Sequence, residues 1–556
     1  YIYYKIKVKS ICIFYLAKAE NRFVRNFTYL FGGNNMGVNE QNNFRDLPKS
    51  YWLASTPTTE YPTLEEDIDV DILIVGGGLV GISCAYLLQK EGFKIAIIEA
   101  DRICQSTTAH TTAKITSQHE LIYDKIQRAM GKDLAKQYAE ANEYAIKEIK
   151  KISEDNQIDC DYISQSAFVY TQQDKYIQKI KDEAKAAYNL GIKASYVDKI
   201  PFHIPIKAAV RFDDQAQFHP RKYVLGLAEV IHKNGVQIFE NSRGVNIEKD
   251  DNYIVTTEQG KRIKAKKVIM ASHYPFYNKP GIYFARIFPI RSYIIGIKAK
   301  EKYPGGMYIN AENPTRSLRH QNTEDGELIL VVGANHITGQ KDDTEENYQA
   351  LVGFVKDVFT VDSIPYRWST QDYLTLDGIP YIGNFTSNTP NLYVATGFQQ
   401  WGMTNSMVSA IILRDLIVEG ESQWQDVYNP SRKNIIASAK NFIVQNLSVA
   451  EHLLDGKLTP IPEDIDIQPG EGKVVKIEGE RVGAYRDEEG NFHLVNTTCP
   501  HMGCELNWNS AEKSWDCPCH GSRFTYKGEI IQGPAVKPLR KDNSVNTIEK
   551  LLKDDY

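Results

Sequence analysis

Four cysteines and two histidines crowd into one short stretch near the end of the chain. Cys499-Pro-His501-Met-Gly-Cys504 is followed, after twelve residues, by Cys517-Pro-Cys519-His520-Gly-Ser522. They contain a Cys-x-His and a Cys-x-x-His pair. Thiolates on one iron and neutral imidazoles on the other make a mixed-ligand [2Fe–2S] centre, in which the imidazoles remove negative charge and raise the reduction potential. A zinc ribbon would use Cys-x-x-Cys pairs. Here Cys499 and Cys504 are five apart and Cys517 and Cys519 two apart, which does not suit one.

This block resembles Rieske domains whose second loop runs Cys-Pro-Cys-His-Gly-Ser, down to the Gly533-Pro534 turn. The resemblance implies that Cys499 and Cys517 bind one iron and that His501 and His520 bind the other. It also implies a disulfide between Cys504 and Cys519, one from each loop. In that family the turn covers the cluster, and the serine at the position of Ser522 donates a hydrogen bond to a bridging sulfide. High-potential members carry a tyrosine two residues further on, donating to a ligand sulfur. Phe524 stands there in this chain, with nothing to donate. Fewer hydrogen bonds to sulfur stabilise the reduced, more negative cluster less. A potential below that of respiratory-complex Rieske proteins is therefore expected.

Composition narrows the remainder. At 556 residues the chain should hold more than one domain. A hydrophobic content of 42% and a net charge of −5 describe a globular protein with no electrostatic case for nucleic acid. Eight cysteines are too few for a disulfide scaffold. Cys12, Cys84, Cys104 and Cys160 are scattered and expected to behave as small buried hydrophobes. No apolar run approaches the ~18 residues of a transmembrane helix, so no membrane span and a cytoplasmic location are expected.

Residues 1–35 stand apart. Lys5, Lys7 and Lys9, an apolar Ile11–Ala17 and Ala17-Lys-Ala19 would suit a short signal peptide. Alternatively the stretch is translated from upstream of the true start, because Phe31-Gly-Gly-Asn-Asn-Met36 permits a ribosome-binding-like GGAGG before an ATG codon. The second reading is favoured, and 1–35 are set aside as a non-native or leader segment. Residues 36–66 are a polar extension, with Tyr51-Trp52-Leu53 as its anchor.

The pattern then sharpens. Val70–Val75 is a short apolar run of the kind that makes a buried parallel strand. Gly76-Gly-Gly78-Leu-Val-Gly81 follows at once, then helical spacing through Lys90 and a second strand at Ile95–Ile98. Glu99 comes eighteen residues after Gly81. In such a βαβ unit Gly76 allows the tight turn, Gly78 lets backbone approach a pyrophosphate, and Gly81 lets helix and strand pack. The helix start faces the phosphates, and Glu99 can hydrogen-bond a ribose. The motif alone does not choose FAD over NAD. No second G-x-G-x-x-G appears, as a pyridine-nucleotide–disulfide-type reductase would need.

From about Asp67 to Gly420 the chain resembles the D-amino-acid/glycine oxidase (DAO) family of FAD enzymes. Three blocks carry the resemblance. Ser106–Lys114, containing Thr107, Thr108 and His110, is similar to the loop that passes beside the flavin. Phe218-His-Pro220, a helix from Tyr223, Gly244-Val245 and the strand Lys267–Met270 are similar to the second FAD segment, in which the residue matching Val245 contacts adenine. Asp377–Gly383 and Ala395-Thr-Gly397-Phe-Gln-Gln-Trp401-Gly402-Met-Thr404 are similar to the C-terminal FAD signature. One departure stands out: the family usually has Ala-Thr-Gly where this chain has Ala271-Ser-His273.

These blocks imply an α/β protein: a Rossmann-like FAD-binding domain with an α+β substrate domain of DAO type, followed by an all-β Rieske domain. The expected partition is an oxidoreductase domain at 67–455, with its substrate part roughly at 120–205 and 285–362. A Pro-punctuated linker follows at 456–473, then the Rieske domain at 474–556. Leu134, Tyr138, Ala141, Ala145, Ile149 and Ile152 form one buried helical stripe. Gly306–Arg319 and Leu328–His336 suggest strands near a cleft, and Ser438–Leu453 an amphipathic helix. In amino-acid-oxidising relatives a basic side chain clamps the substrate carboxylate, because planar guanidinium meets it bidentately. Arg291, Arg316 and Arg319 are the candidates, with Trp401 and Gln400 as pocket walls. His110 suits either a structural hydrogen bond or catalysis.

The expected function is a FAD-dependent dehydrogenase acting on a small amine or amino acid. Reduced flavin would pass electrons singly to the Rieske cluster and on to an external acceptor. Two alternatives stand beside it: a non-catalytic redox sensor or carrier, and a Rieske-fed reductive or oxygenase partner. No 2-His-1-carboxylate iron motif supports the last.

Overall fold

The computed structural model describes residues 46–277, 280–341, 343–432, 446–453, 466–477 and 479–541. Residues 1–35, the start of the extension, the start of the amphipathic stretch and the first part of the linker lie outside the described residues.

Ile68–Val75 is apolar on both faces at its C-terminal half and pairs on both sides, in parallel, with Ile95–Ile98 and Arg262–Met270. Such a strand satisfies its backbone and buries its side chains only inside a sheet covered on both faces. The sheet order is Tyr381–Asn384, Leu392–Thr396, Arg262–Met270, Ile68–Val75, Ile95–Ile98, Gln237–Phe239. Helices Leu79–Leu88 and Gly402–Val418 pack on it and on each other. Helix Pro220–Lys233 begins three residues before the expected Tyr223, because Pro220 suits the first helical turn and His219 accepts the Lys222 amide. Helix Lys132–Asp155 buries the expected stripe, including Tyr138, Ala141, Ala145, Ile149 and Ile152.

A second, nine-stranded sheet stands beside the first. Its long antiparallel strands Ile287–Ala299, Gly326–Ile337 and Val361–Thr375 lie at one end, and Ile163–Thr171, Ala208–Gln217 and Lys114–Ile115 at the other. Met307–Asn310 and Arg316–Thr323 bridge the two groups.

The C-terminal part is two small antiparallel sheets. One joins Gly472–Ile477, Glu480–Arg486 and Phe492–Asn496. The other joins Asn507–Asn509, Ser514–Asp516, Arg523–Thr525 and Ile530–Gln532. Trp515 and Phe524, both fully buried, anchor its core with the loop cysteines. Among the described residues no helix is long and apolar enough to cross a membrane.

Candidate functional site

The turn after Ile68–Val75 is built for a close approach. Gly76 has φ +115°, and a Cβ there would stand 2.6 Å from the Ala271 carbonyl oxygen, so only glycine fits. A Cβ at Gly81 would lie 1.9 Å from the Gly76 oxygen, which is why the helix can sit directly on the turn. Helix Leu79–Leu88 starts at Gly78 with no side-chain cap, and the Thr108 hydroxyl accepts the Leu79 amide at 3.2 Å. Helix Gly402–Val418 also starts uncapped, behind Trp401. Both starts open on one cavity of about 660 Å³. Two positive helix ends make one wall of it suited to anionic phosphate and to a flavin edge.

Glu99 sits on that wall. Its carboxylate accepts the Gly77 amide at 2.7 Å, the Ala100 amide at 2.8 Å and the Asp101 amide at 3.2 Å. Burial raises its pKa against the pull of those amides. One lone-pair site, on Oε2, remains for a ribose hydroxyl. The glycine cradle, the two helix starts and this carboxylate together fit FAD.

Gly76, Gly78, Glu99, Thr107, Thr108, Trp401 and Gly402 line the cavity. Gly81 and Gly397 act behind its wall; Gly397 turns the chain at φ +74°, where a Cβ would meet Thr375 at 2.4 Å. Val245 follows the lining residues Arg243 and Gly244. Trp401 stacks on His119, with ring centres 5.0 Å apart. His110 lines the cavity, bonded through Nδ1 to the Ser106 carbonyl at 2.8 Å, and burial lowers its pKa.

Two of the three arginine candidates, Arg316 and Arg319, lie off the cavity lining. Arg316 donates to the Thr315 carbonyl at 3.0 Å, and its neighbour Ser317, on the opposite side of the strand, reaches the wall instead. Arg319 donates to the carbonyls of His320 and Phe218 at 3.2 and 3.3 Å and lies over Trp52; burial pulls it down to about 9. Arg291 lines the cavity but is ion-paired with Glu512 at 3.1 Å.

A cation missed by the sequence reading is Lys114, the last residue of the Ser106–Lys114 block. It lines the cavity, and its Nζ donates to the Tyr308 carbonyl at 3.2 Å and to the Ser317 hydroxyl. Burial, with the charge of Arg319 adding, lowers it to about 7. No carboxylate faces it among the described residues. Its spacing alone gave no signal, because Lys114 falls on a two-residue strand whose burial comes from distant partners.

The two C-terminal loops bring their four expected ligands together. Cys499 and Cys517 are buried and outside any disulfide, and the His501 and His520 rings are 5.0 Å apart and nearly perpendicular. A hydrogen bond between the two thiols lowers Cys499 and raises Cys517. Burial keeps both imidazoles neutral, with His501 at about 4 and His520 at about 3. Nδ1 of His520 is buried without a hydrogen-bond partner, the state of a ligand atom facing a metal. Cys504 and Cys519 are joined as a disulfide. The sulfurs of Cys504, Cys517 and Cys519 also cluster closely enough for a metal, but two of the three are bonded to each other and cannot serve as thiolates. Ser522 accepts the Ala535 amide at 3.0 Å and keeps its own proton to donate. This donor set fits a [2Fe–2S] cluster.

The ligand loops do not hang free. A Cβ at Gly521 would stand 2.5 Å from Pro289 and 2.7 Å from Gln371 Nε2, and one at Gly339 would stand 2.7 Å from the Pro518 nitrogen. Gln371 donates to the Gly521 carbonyl at 2.8 Å, Gln340 to Pro518 at 3.2 Å, and Asn507 to Gly339 at 2.7 Å. The Tyr274 ring lies edge-on to His501 at 6.2 Å, and the Phe284 ring edge-on to His520 at 6.1 Å. Residues 530–536 then complete the cavity wall.

Residues 71–416 match the family described as FAD dependent oxidoreductase (DAO), and residues 457–547 match the Rieske [2Fe-2S] domain. A putative Rieske 2Fe-2S iron-sulfur protein, YhfW, of Bacillus subtilis is 44% identical over 89% of this chain and 98% of its own length. Gamma-glutamylputrescine oxidoreductase of Escherichia coli is 24% identical over 68% of this chain and 91% of its own. Glycine oxidase from Geobacillus kaustophilus superposes with a TM-score of 0.56 at 14% identity, covering 66% of this chain and 99% of that one; this likeness shows the fold.

Proposed function

Because the chain belongs to the DAO family of FAD dependent oxidoreductases and carries a Rieske domain, we propose that it is a dehydrogenase for a small amine or amino-acid-like substrate. Its electrons pass from flavin to the cluster and on to an external acceptor. One observation carries this reading: the cluster loops dock on the flavin cavity through Gln371 and Gly521, in a strand whose next residues, Asp372 and Tyr373, line that cavity. The names of the E. coli and Geobacillus relatives support an amine or amino-acid substrate.

When bound, FAD supplies hydride acceptance and the cluster supplies one-electron transfer. The chain's own residues do the rest. Lys114 offers a charge to a substrate carboxylate in a cavity where water competes poorly. Trp401, held by His119, walls the pocket. The strap at 530–536 and Tyr373 close the side toward the cluster, the Tyr373 hydroxyl donating to the Gly533 carbonyl at 3.3 Å.

Anaerobic addition of a panel of amines and amino acids tests this, with flavin followed by absorbance and the cluster by electron-spin resonance. Both centres should become reduced, and Cys499→Ala should lose only the cluster signal. A flavin that bleaches while the cluster stays oxidised refutes the relay.

A further inference from the structure

The strand Arg262–Met270 is followed by Ala271-Ser272-His273, where the family pattern places glycine last. His273 adopts φ +64°, a region that disfavours any residue with a side chain. The cost of placing an imidazole at a glycine-shaped position calls for a reason in the contacts it makes.

Those contacts form a chain. Nε2 of His273 meets Asp372 Oδ1 at 2.8 Å, and Nδ1 meets the Thr107 hydroxyl at 3.1 Å. Thr107 also lies 3.4 Å from the Gln371 carbonyl oxygen. Asp372 is fixed in turn by the backbone amides of Tyr373 and Gln400. The titratable groups against the ring are Asp372 and Tyr373, the latter ring 4.9 Å away, with Tyr274 next in sequence; Phe398 stacks beside it. Thr107, His273 and Asp372 all line the flavin cavity, and Tyr274 touches His501.

We propose that His273 is a proton acceptor in the cavity wall, serving transfer between flavin and cluster. This rests on the relay reading above. Reduced flavin in its anionic form, emptied one electron at a time into a cluster that takes up no proton, gives up two electrons and leaves one proton behind at the wall. The two electrons leave through the cluster to the external acceptor. The proton reaches His273: Thr107 passes its hydroxyl proton to Nδ1 and takes the incoming one. Both protonation states of the ring are satisfied. When the ring is neutral, Nε2–H donates to Asp372 and Nδ1 accepts from Thr107. When it is charged, Nδ1–H donates to Thr107, whose proton turns to Gln371, and Asp372 neutralises the imidazolium. The side chain is 18% exposed, which gives the proton a way out to water.

The test uses holoenzyme reduced stoichiometrically with dithionite without oxygen, then mixed rapidly with ferricyanide. This one-electron oxidant drains the cluster first and the flavin through it. His273→Gln keeps hydrogen-bonding groups but cannot hold the proton, and His273→Gly removes the strained φ. Both should slow the flavin phase roughly 100-fold, the low end for a positioned proton acceptor. The cluster phase and its resonance spectrum should stay as in wild type, added imidazole should restore the flavin phase of His273→Gly, the variant that vacates the site, and His273→Gly should melt no lower than wild type. A flavin phase within twofold of wild type in both variants overturns the proposal. So does a slow phase in His273→Gly that imidazole does not restore, since that marks a structural role. In Cys499→Ala, flavin oxidation as fast as in wild type would instead sink the relay reading itself.

Discussion

Arg291 and Glu512 stand 3.1 Å apart across the boundary between the two halves of the molecule, with side chains 1% and 12% exposed. One comes from the flavoprotein strand Ile287–Ala299 and the other from the Rieske hairpin that joins Asn507–Asn509 to Ser514–Asp516. Tyr348 donates to the same carboxylate at 2.9 Å, and Arg523 lies within 3.8 Å. Removing one partner of a buried pair strands the other. Glu512→Ala should therefore destabilise the docked protein by about 3–5 kcal/mol, and Arg291→Met with Glu512→Leu should recover much of that. Urea unfolding and limited proteolysis between the domains measure it; a single variant as stable as wild type would contradict the pairing.

Lys114 gives a pH dependence with a definite sign. Its pKa in the folded protein is lowered to about 7 by burial, with Arg319 adding, against ~10.4 in the unfolded chain. Between those values the unfolded state binds more protons, so this group makes stability rise with pH across that window. Carboxylate binding runs the other way. Propionate, followed by its shift of the flavin spectrum, should bind well below pH 7 and weaken by about tenfold per unit above it. Lys114→Met should bind weakly at every pH, and a flat wild-type profile would remove Lys114 from this role.

Phe524 is fully buried against the cluster loops and offers no donor. Phe524→Tyr, if its hydroxyl reaches a ligand sulfur, should raise the one-electron potential by roughly 50 mV, a little over 1 kcal/mol. Redox titration followed by electron-spin resonance reads this directly. A wild-type potential already near the top of the known range, about +300 mV, would argue against the missing donor as the control.

The Cys504–Cys519 bond closes a span of 15 residues between the two ligand loops. Cys504→Ser should lower stability by about 3 kcal/mol and hasten iron release in urea. Unchanged release would mean that the interdomain contacts of Gly521 and Pro518 hold the loops without it.

Much of this molecule was legible locally. The glycine motif with its two strands and acid, and the paired Cys/His loops, rely on neighbours only a few residues apart. Backbone geometry at Gly76 and ligand reach at Cys499 and His501 follow from such spacing. The resemblance to the DAO family named Thr107, Thr108, Trp401 and Gly402, all of which line the cavity. Local pattern did not place the arginine candidates. Charge and a cleft-like strand pattern pointed to Arg316 and Arg319, but strand alternation turns Ser317 to the wall, and both guanidiniums spend their hydrogen bonds on carbonyls.

By itself, the order of residues determined that one chain carries a dinucleotide fold and a mixed-ligand cluster fold, because each motif closes on its own few neighbours. Only the tertiary structure decided that the two share a wall. Arg291 and Glu512 are 221 positions apart, Gln371 and Gly521 are 150 apart, and no periodicity spans such gaps. The physical reason is that burial and charge neutralisation across a domain interface depend on shapes assembled from many segments. Lys114 is a cavity cation, and Arg291 an interdomain tether, only once those segments have packed.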